Sequence, residues 1–207
     1  KWMFNFVCSG VAIYYFTYVA QNAGLLARYI LISNILCVIG SYLAKNMAKK
    51  ISTRTTTIVT FFAMAVILIA ANFTYANVTV VIILMSAAQF GYGIAYACTP
   101  ALYADTIIYS EWKTGKNARG LYFSMFQLSI KIAAVFSTAI AGFGLSMVGY
   151  VANTEPTQQV VHGIRVISMG LPAGLLILGA VLLMFYDLSQ KKMDKIREEL
   201  EERKSGK

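Results

Sequence analysis

The chain has 207 residues, 58% of them hydrophobic and only 13% charged, which is too apolar for a soluble domain of this size. A net charge of +9 would suit nucleic acid, yet most of the basic residues sit in short stretches beside long uncharged runs. Membrane topology and anionic lipid account for them there, and no nucleic-acid partner is expected. The three cysteines, Cys8, Cys37 and Cys98, fall inside apolar runs and His162 is the only histidine, so neither a disulfide framework nor a metal centre is expected.

Six stretches are each long and apolar enough to cross a bilayer as a helix of about 20 residues, and they define an all-α polytopic membrane protein. Span 1 is read over residues 2–20, span 2 over 25–44 and span 3 over 56–74. Span 4 is read over 78–104, span 5 over 120–151 and span 6 over 164–186. Short turns at 21–24 and 75–77 suit antiparallel neighbours, and a longer loop from Asn153 to Gln159 separates the last two spans. Pro100 in span 4 and Pro172 in span 6 predict local kinks, while Gly170 and Gly174 read as a small-residue packing pair. Residues 1–186 thus form one bundle, followed by a charged tail over 187–207 that reads as a solvated helix, with Lys195 and Glu199 paired one turn apart. Lys1 rather than Met opens the chain and span 1 begins almost at once, so the chain is expected to be the later part of a longer one.

Lys45, Lys49, Lys50 and Arg54, then Lys113, Lys116 and Arg119, then seven tail residues fall on one side, against Arg28 and Arg165 on the other. That asymmetry predicts both termini in the cytoplasm of a multi-pass cell-membrane protein.

Between spans 4 and 5 runs a charged connection, predicted as a loop, with Asp105, Glu111, Lys113, Lys116 and Arg119. About 12 residues beyond Arg119, roughly 18 Å along a helix, an unaccompanied Lys131 falls near mid-membrane depth. An ionisable residue there faces a bundle interior or a wet cavity and is a functional candidate by default. Gln89, Tyr92, Tyr96, Thr99 and Tyr103 form one helical stripe on span 4. Gly120, Ser124, Gln127, Lys131, Ala134 and Thr138 form another on span 5. Aromatic faces, amides, hydroxyls and one ammonium together suit a polyhydroxylated ligand; the alternative use for them is hydrogen bonding between neighbouring helices. Asn5, Ser9 and the tyrosines Tyr14, Tyr15 and Tyr18 of span 1, with Asn34 and Ser41 of span 2, are further candidates to touch a cavity. Spans 3 and 6, almost without polar residues in their middles, read as lipid-facing outer helices. Asp105 and Glu111 have no nucleophile or metal ligand beside them, and no enzyme is expected.

The run Ala104-Asp105-Thr106, then Tyr109, Glu111-Trp112-Lys113-Thr114-Gly115, Gly120, Ser124 and Lys131 resembles the signature between helices 10 and 11 of the glycoside–pentoside–hexuronide:cation symporters. These are the melibiose-permease branch of the major facilitator superfamily, and Gly142, Gly144 and Gly149-Tyr150 also suit the family. The six-span layout extends the resemblance over essentially the whole chain, as helices 7 to 12, the carboxyl-terminal half. The resemblance implies secondary active transport of a sugar or glycoside with a cation. It places Lys131 near the sugar and coupling-cation sites, Gln127 at a sugar-side polar position and Tyr96, with Tyr92 a turn away, as an aromatic on the sugar. Phe126 stands where melibiose permease has another polar residue. Asp105, Tyr109, Glu111 and Lys113 match a cytoplasmic loop that helps close the inner gate. Ile108 departs from a second aspartate, and Asn117 and Arg119 from arginine and glutamate. The expected partners are the lipid bilayer, the sugar and an amino-terminal six-helix half. No cofactor is implied beyond Na⁺ or H⁺, whose acidic ligands would come mainly from that half, since no Asp or Glu falls within a predicted span. A lysolipid or other amphiphile as cargo, or a non-transporting scaffold or sensor of the same fold, are the alternatives.

Overall fold

A computed structural model describes residues 1–116, 119–151, 154, 156–186, 188 and 190–205, with backbone alone at 190, 191, 204 and 205. Asn117, Asn153 and Asp187, which bear on the predicted loops and tail, lie outside the described residues. The elements are α1 (Trp2–Tyr14) running into a π-turn (Tyr15–Val19), α2 (Leu25–Ile51), α3 (Thr53–Phe73), α4 (Val78–Thr114) and α5 (Arg119–Met147). Then follow α6 (Gln158–Arg165), a second π-turn (Val166–Gly170), α7 (Leu171–Met184) and α8 (Gln190–Ser205). Five continuous helical stretches are long and apolar enough to span a membrane by themselves, α6 to α7 counting as one. The predicted first span is helical too, as a 13-residue α-helix and a five-residue π-turn.

α4 is the central post. It packs along α2 and α3, α3 packs on α7, and α1 is held by α5 and α7 rather than by α2. The buried core follows these contacts, with Phe61, Met64 and Leu68 of α3 against Tyr92 of α4 and Leu176 of α7. The closest approach in the bundle is made by two glycines. A Cβ on Gly93 would lie 2.0 Å from the Cys37 carbonyl oxygen, and one on Gly40 would lie 2.1 Å from that of Phe90. Ser41 Oγ donates across the same contact to the Gly93 carbonyl at 3.1 Å.

Helix ends differ from the predicted spans where polar residues continue the helix beyond lipid. The stretch 105–114, predicted as loop, is helical: it contains no Gly or Pro to stop it, and α4 ends only where Gly115 takes a left-handed φ of 68° and its N–H bonds Glu111 O at 2.9 Å. At 37 residues α4 is roughly 55 Å long against about 30 Å of hydrocarbon, so its charged end stands clear of the bilayer. Between α2 and α3 the connection shrinks to Ser52, whose hydroxyl caps α3 by accepting from the Thr55 N–H. Arg54 then closes α7 at the same end, donating to the Leu183 and Met184 carbonyls at 3.2 and 2.6 Å.

Pro100 sits inside a continuous α4. Before Pro172 the chain instead forms the second π-turn, in which the Leu171 N–H reaches back five residues to Val166 O. Gly170 and Gly174 are not a packing pair: a Cβ at Gly174 meets nothing within 4 Å and one at Gly170 meets only Val166 of its own turn. Gly163 against Val148 and Gly179 against Phe61 make the close contacts of the last span. α3 and α7 bury one face and expose an apolar other, with Val66 and Phe73 outward on α3 and Leu178 and Leu182 on α7.

Candidate functional site

Three places gather the polar and aromatic side chains. The first lies where α1, α4 and α5 meet. The Trp2 ring stands edge-on to Tyr96, with centroids 5.6 Å apart, and to Phe126 at 6.4 Å. Phe126 meets Tyr103 at 4.8 Å, and Tyr96 meets Tyr92 at 6.0 Å. The Lys1 ammonium lies over the Trp2 and Tyr96 rings, 4.3 and 5.0 Å from their centroids, and Tyr96 still remains 48% exposed. Gln127 follows Phe126 on the exposed side of α5, in line with Ser124, Lys131 and Thr138, all exposed. Among the described residues Lys131 has no hydrogen-bond or ion-pair partner. On α5 only Ala133, Ser137 and Leu145 are buried, so the polar stripe looks away from the rest of the bundle.

The second place is a cavity of about 330 Å³ bounded by α1, α2 and α4, and lined among others by Asn5, Ser9, Tyr29, Asn34, Gln89 and Tyr92. The candidates Asn5, Ser9 and Asn34 belong here. Ser41 lines a different cavity, of about 360 Å³, beside Lys45, Lys49 and Cys98, and its hydroxyl also serves the α2–α4 contact. Tyr14 and Tyr18 clasp Tyr150 instead, Tyr18 and Tyr150 sharing a 2.8 Å hydrogen bond between their hydroxyls. Tyr15 is wholly buried in the core, and among the described residues its hydroxyl has no hydrogen-bond partner.

The substrate-binding candidates are therefore divided. Tyr92 lines the cavity, Tyr96 and Phe126 stand in the aromatic cluster, and Gln127 and Lys131 lie on the open face of α5. Sequence reasoning missed Trp2, which no periodicity singles out. It also missed Tyr29 and Ser33, although Tyr29, Ser33, Cys37 and Gly40 recur at helical steps on one face of α2.

The third place is the protruding end of α4. Here the tail is a helix with most of its charged side chains exposed, but one edge is not solvated: α8 folds back on α4, with Met193 and Ile196, and Leu188 just before it, buried against Ile108, Tyr109 and Trp112. Arg197 Nη2 donates to Asp105 Oδ1 at 2.8 Å, and Trp112 Nε1 donates to Glu199 Oε2 at 2.6 Å, taking the carboxylate expected to pair with Lys195. Arg203 Nη1 reaches the Trp112 carbonyl at 3.2 Å. Ile108, the position where the signature commonly has an acid, supplies apolar surface to this contact. Of the other gate candidates, Glu111 lies 4.0 Å from Arg119 and Lys113 is exposed. Ile196→Asp is expected to release α8, because about 1.5–3 kcal/mol of side-chain burial is lost and a carboxylate is placed against apolar walls. Hydrogen exchange would then rise at least tenfold over residues 192–203 with the membrane helices unchanged; unchanged exchange in the tail would show that burial does not hold it.

Over residues 1–190 the chain matches the family described as MFS/sugar transport protein. The chain belongs to this family. It is 29% identical over 202 residues to the glucuronide carrier protein homolog of Escherichia coli (strain K12), covering 97% of the chain and 44% of that relative. It is 28% identical over 190 residues to the isoprimeverose transporter of Lactiplantibacillus pentosus, covering 91% of the chain and 38% of that relative. The uncharacterized symporter YjmB of Bacillus subtilis (strain 168) is 35% identical over 128 residues, 61% of the chain and 28% of that relative. The chain thus spans less than half the length of these relatives, and its all-helical bundle is half of a major facilitator fold.

Proposed function

We propose that this chain is the second half of a secondary transporter that carries a sugar or glycoside together with Na⁺ or H⁺, by rocking against an amino-terminal six-helix half. The observation that carries the reading is the open face of α5. Ser124, Gln127, Lys131 and Thr138 lie exposed in a line on a helix otherwise fit for lipid. A polar stripe with an ammonium at membrane depth is costly against hydrocarbon, and faces a wet pathway or another helix bundle. The aromatic cluster beside it supplies ring faces for a sugar's C–H surface, Tyr96 being the exposed one. The coupling-cation carboxylates would come from the other half, Asp105 and its neighbours would help close the inner side, and both termini would lie in the cytoplasm of a cell-membrane protein. Names of the relatives support the cargo class, among them a glucuronide carrier homolog and an isoprimeverose transporter.

Counterflow of labelled glycosides in proteoliposomes tests this, with the chain alone and joined to a matching first half. Exchange is expected only in the joined form; its absence there would end the reading. One observation favours an amphiphilic cargo instead: an apolar pocket of about 250 Å³ between α4 and α5, walled by Pro100, Tyr103, Ile107, Tyr122 and Phe126. Competition of glycoside exchange by a lysolipid would support that second reading.

A further inference from the structure

We infer that the α1–α2–α4 cavity is itself a binding site for one uncharged hydroxylated ring, separate from the Lys131 face of α5. The inference rests on the proposed function for its choice of a sugar as ligand class; the geometry below stands without it.

Three helices bring directional polar groups to this one space. Asn5 and Ser9 come from α1, Tyr29 and Asn34 from α2, and Gln89 and Tyr92 from α4. Part of the set is paired across the helices, the Tyr29 hydroxyl standing against Gln89 and Ser33 and Ser33 sharing a 3.3 Å hydrogen bond with Ser86; polar groups at membrane depth are costly unless they find such partners or water, and those nearer the opening do not. Among the described residues the side chains of Asn5 and Ser9 have no hydrogen-bond partner. Asn34 donates its Nδ2 to the Ile30 carbonyl at 2.8 Å, which leaves its Oδ1 as an acceptor. Gln89 is only 8% exposed and Tyr92 only 6%, so both hold fixed positions on the inner wall. Ser9 and Asn34, with Ile13 and Ile30, are exposed and form the mouth.

Size and charge narrow the ligand. About 330 Å³ is at the low end of the roughly 300–1,000 Å³ of small-molecule sites, room for one ring and not for an extended glycoside. None of the lining residues is Asp, Glu, Lys, Arg or His. A carboxylate or sulfonate entering here would lose its hydration with no cation to compensate. Amides and hydroxyls beside two tyrosine rings match a neutral pyranose or cyclic polyol, which offers hydroxyls at its rim and C–H groups on its faces.

Cys37 also lines the cavity, which provides a reporter that does not depend on transport. In membranes carrying the full protein, Cys37 alkylation by N-ethylmaleimide is followed by mass spectrometry at that residue. Methyl β-D-glucopyranoside is the neutral probe and D-glucuronate the anionic one. The glycoside is expected to slow alkylation at least fivefold and the glucuronate less than twofold. Asn34→Leu is expected to abolish the protection without changing the unprotected rate, and Lys131→Leu to leave protection intact. Should Cys37 react too slowly to follow, Ile13→Cys at the mouth is the second reporter, with the same expectations. Absent protection at both reporters, equal protection by the glucuronate, or protection lost in Lys131→Leu but kept in Asn34→Leu would each overturn the inference. Protection without counterflow would fault the transport reading and leave the cavity standing; counterflow without protection would do the reverse.

Discussion

Gly93→Ala is expected to destabilise the bundle by about 3 kcal/mol or more, the top of the range for overpacked cores. A single added methyl has this effect because the atoms it meets are backbone. A Cβ at Gly93 would stand 2.0 Å from the Cys37 carbonyl oxygen, 2.8 Å from its carbonyl carbon and 3.0 Å from its Cα, and none of these has a rotamer to escape into. α2 and α4 must therefore separate, and with them go the 3.1 Å Ser41–Gly93 hydrogen bond and the small-residue contact that holds α2 on the central helix. Gly40→Ala meets the Phe90 carbonyl in the same way. Because either substitution opens the same interface, the double variant is expected to cost less than the sum of the two. Gly174→Ala and Gly142→Ala serve as controls, since a Cβ at either meets nothing within 4 Å; helix propensity alone should make them neutral or stabilising by up to about 1 kcal/mol. Thermal unfolding of the four single variants and the double variant in one detergent decides the matter. If Gly93→Ala melts with Gly174→Ala, the α2–α4 contact is not what it is described to be.

The glycines also show where sequence reading stops. Hydrophobic run length located the membrane helices, and helical spacing placed Tyr92 and Tyr96 on one stripe of α4 and Gln127 and Lys131 on one stripe of α5. Which glycines touch a neighbour depends on how each helix is rotated about its axis, and four-residue spacing does not carry that information. So Gly170 and Gly174 look like a packing pair yet face a side chain of their own turn and open space, while Gly40 and Gly93, neither with a second glycine four positions away, meet backbone. The packed edge of the tail went unread for a different reason. Met193, Ile196 and Leu200 recur at helical spacing, but among so many charges they read as incidental, and their partners Ile108, Tyr109 and Trp112 lie some 90 positions earlier on a segment expected to be loop. The division of the candidate site has the same origin. One stripe on α4 serves two places because α1 crosses it, Phe4 meeting Tyr92 and Trp2 meeting Tyr96, so that neighbouring turns of a single helix look into different surroundings.

Lys131→Leu is expected to separate stability from transport. The ammonium has no partner among the described residues and lies exposed on α5, so removing it breaks no contact within the bundle. A lysine at the centre of a membrane helix costs about 2.5–3.5 kcal/mol on insertion scales, so the leucine variant should insert and melt at least as well as the parent. Transport by the full-length protein should nevertheless fall about 10- to 150-fold. That is the equivalent of losing the 1.5–3 kcal/mol of a hydrogen bond to a charged group, whether the ammonium meets sugar hydroxyls or a carboxylate of the other half. Lys131→Arg keeps the charge but replaces a compact donor on a flexible stem with a planar fork, and is expected to recover only part of the loss. Initial rates of glycoside uptake and thermal midpoints, measured on the same preparations, distinguish the possibilities. A fall in both would make Lys131 a structural residue. Full uptake by the leucine variant would remove it from the site and leave the aromatic cluster, with the Lys1 ammonium over its Trp2 and Tyr96 rings, and the α1–α2–α4 cavity to bind sugar.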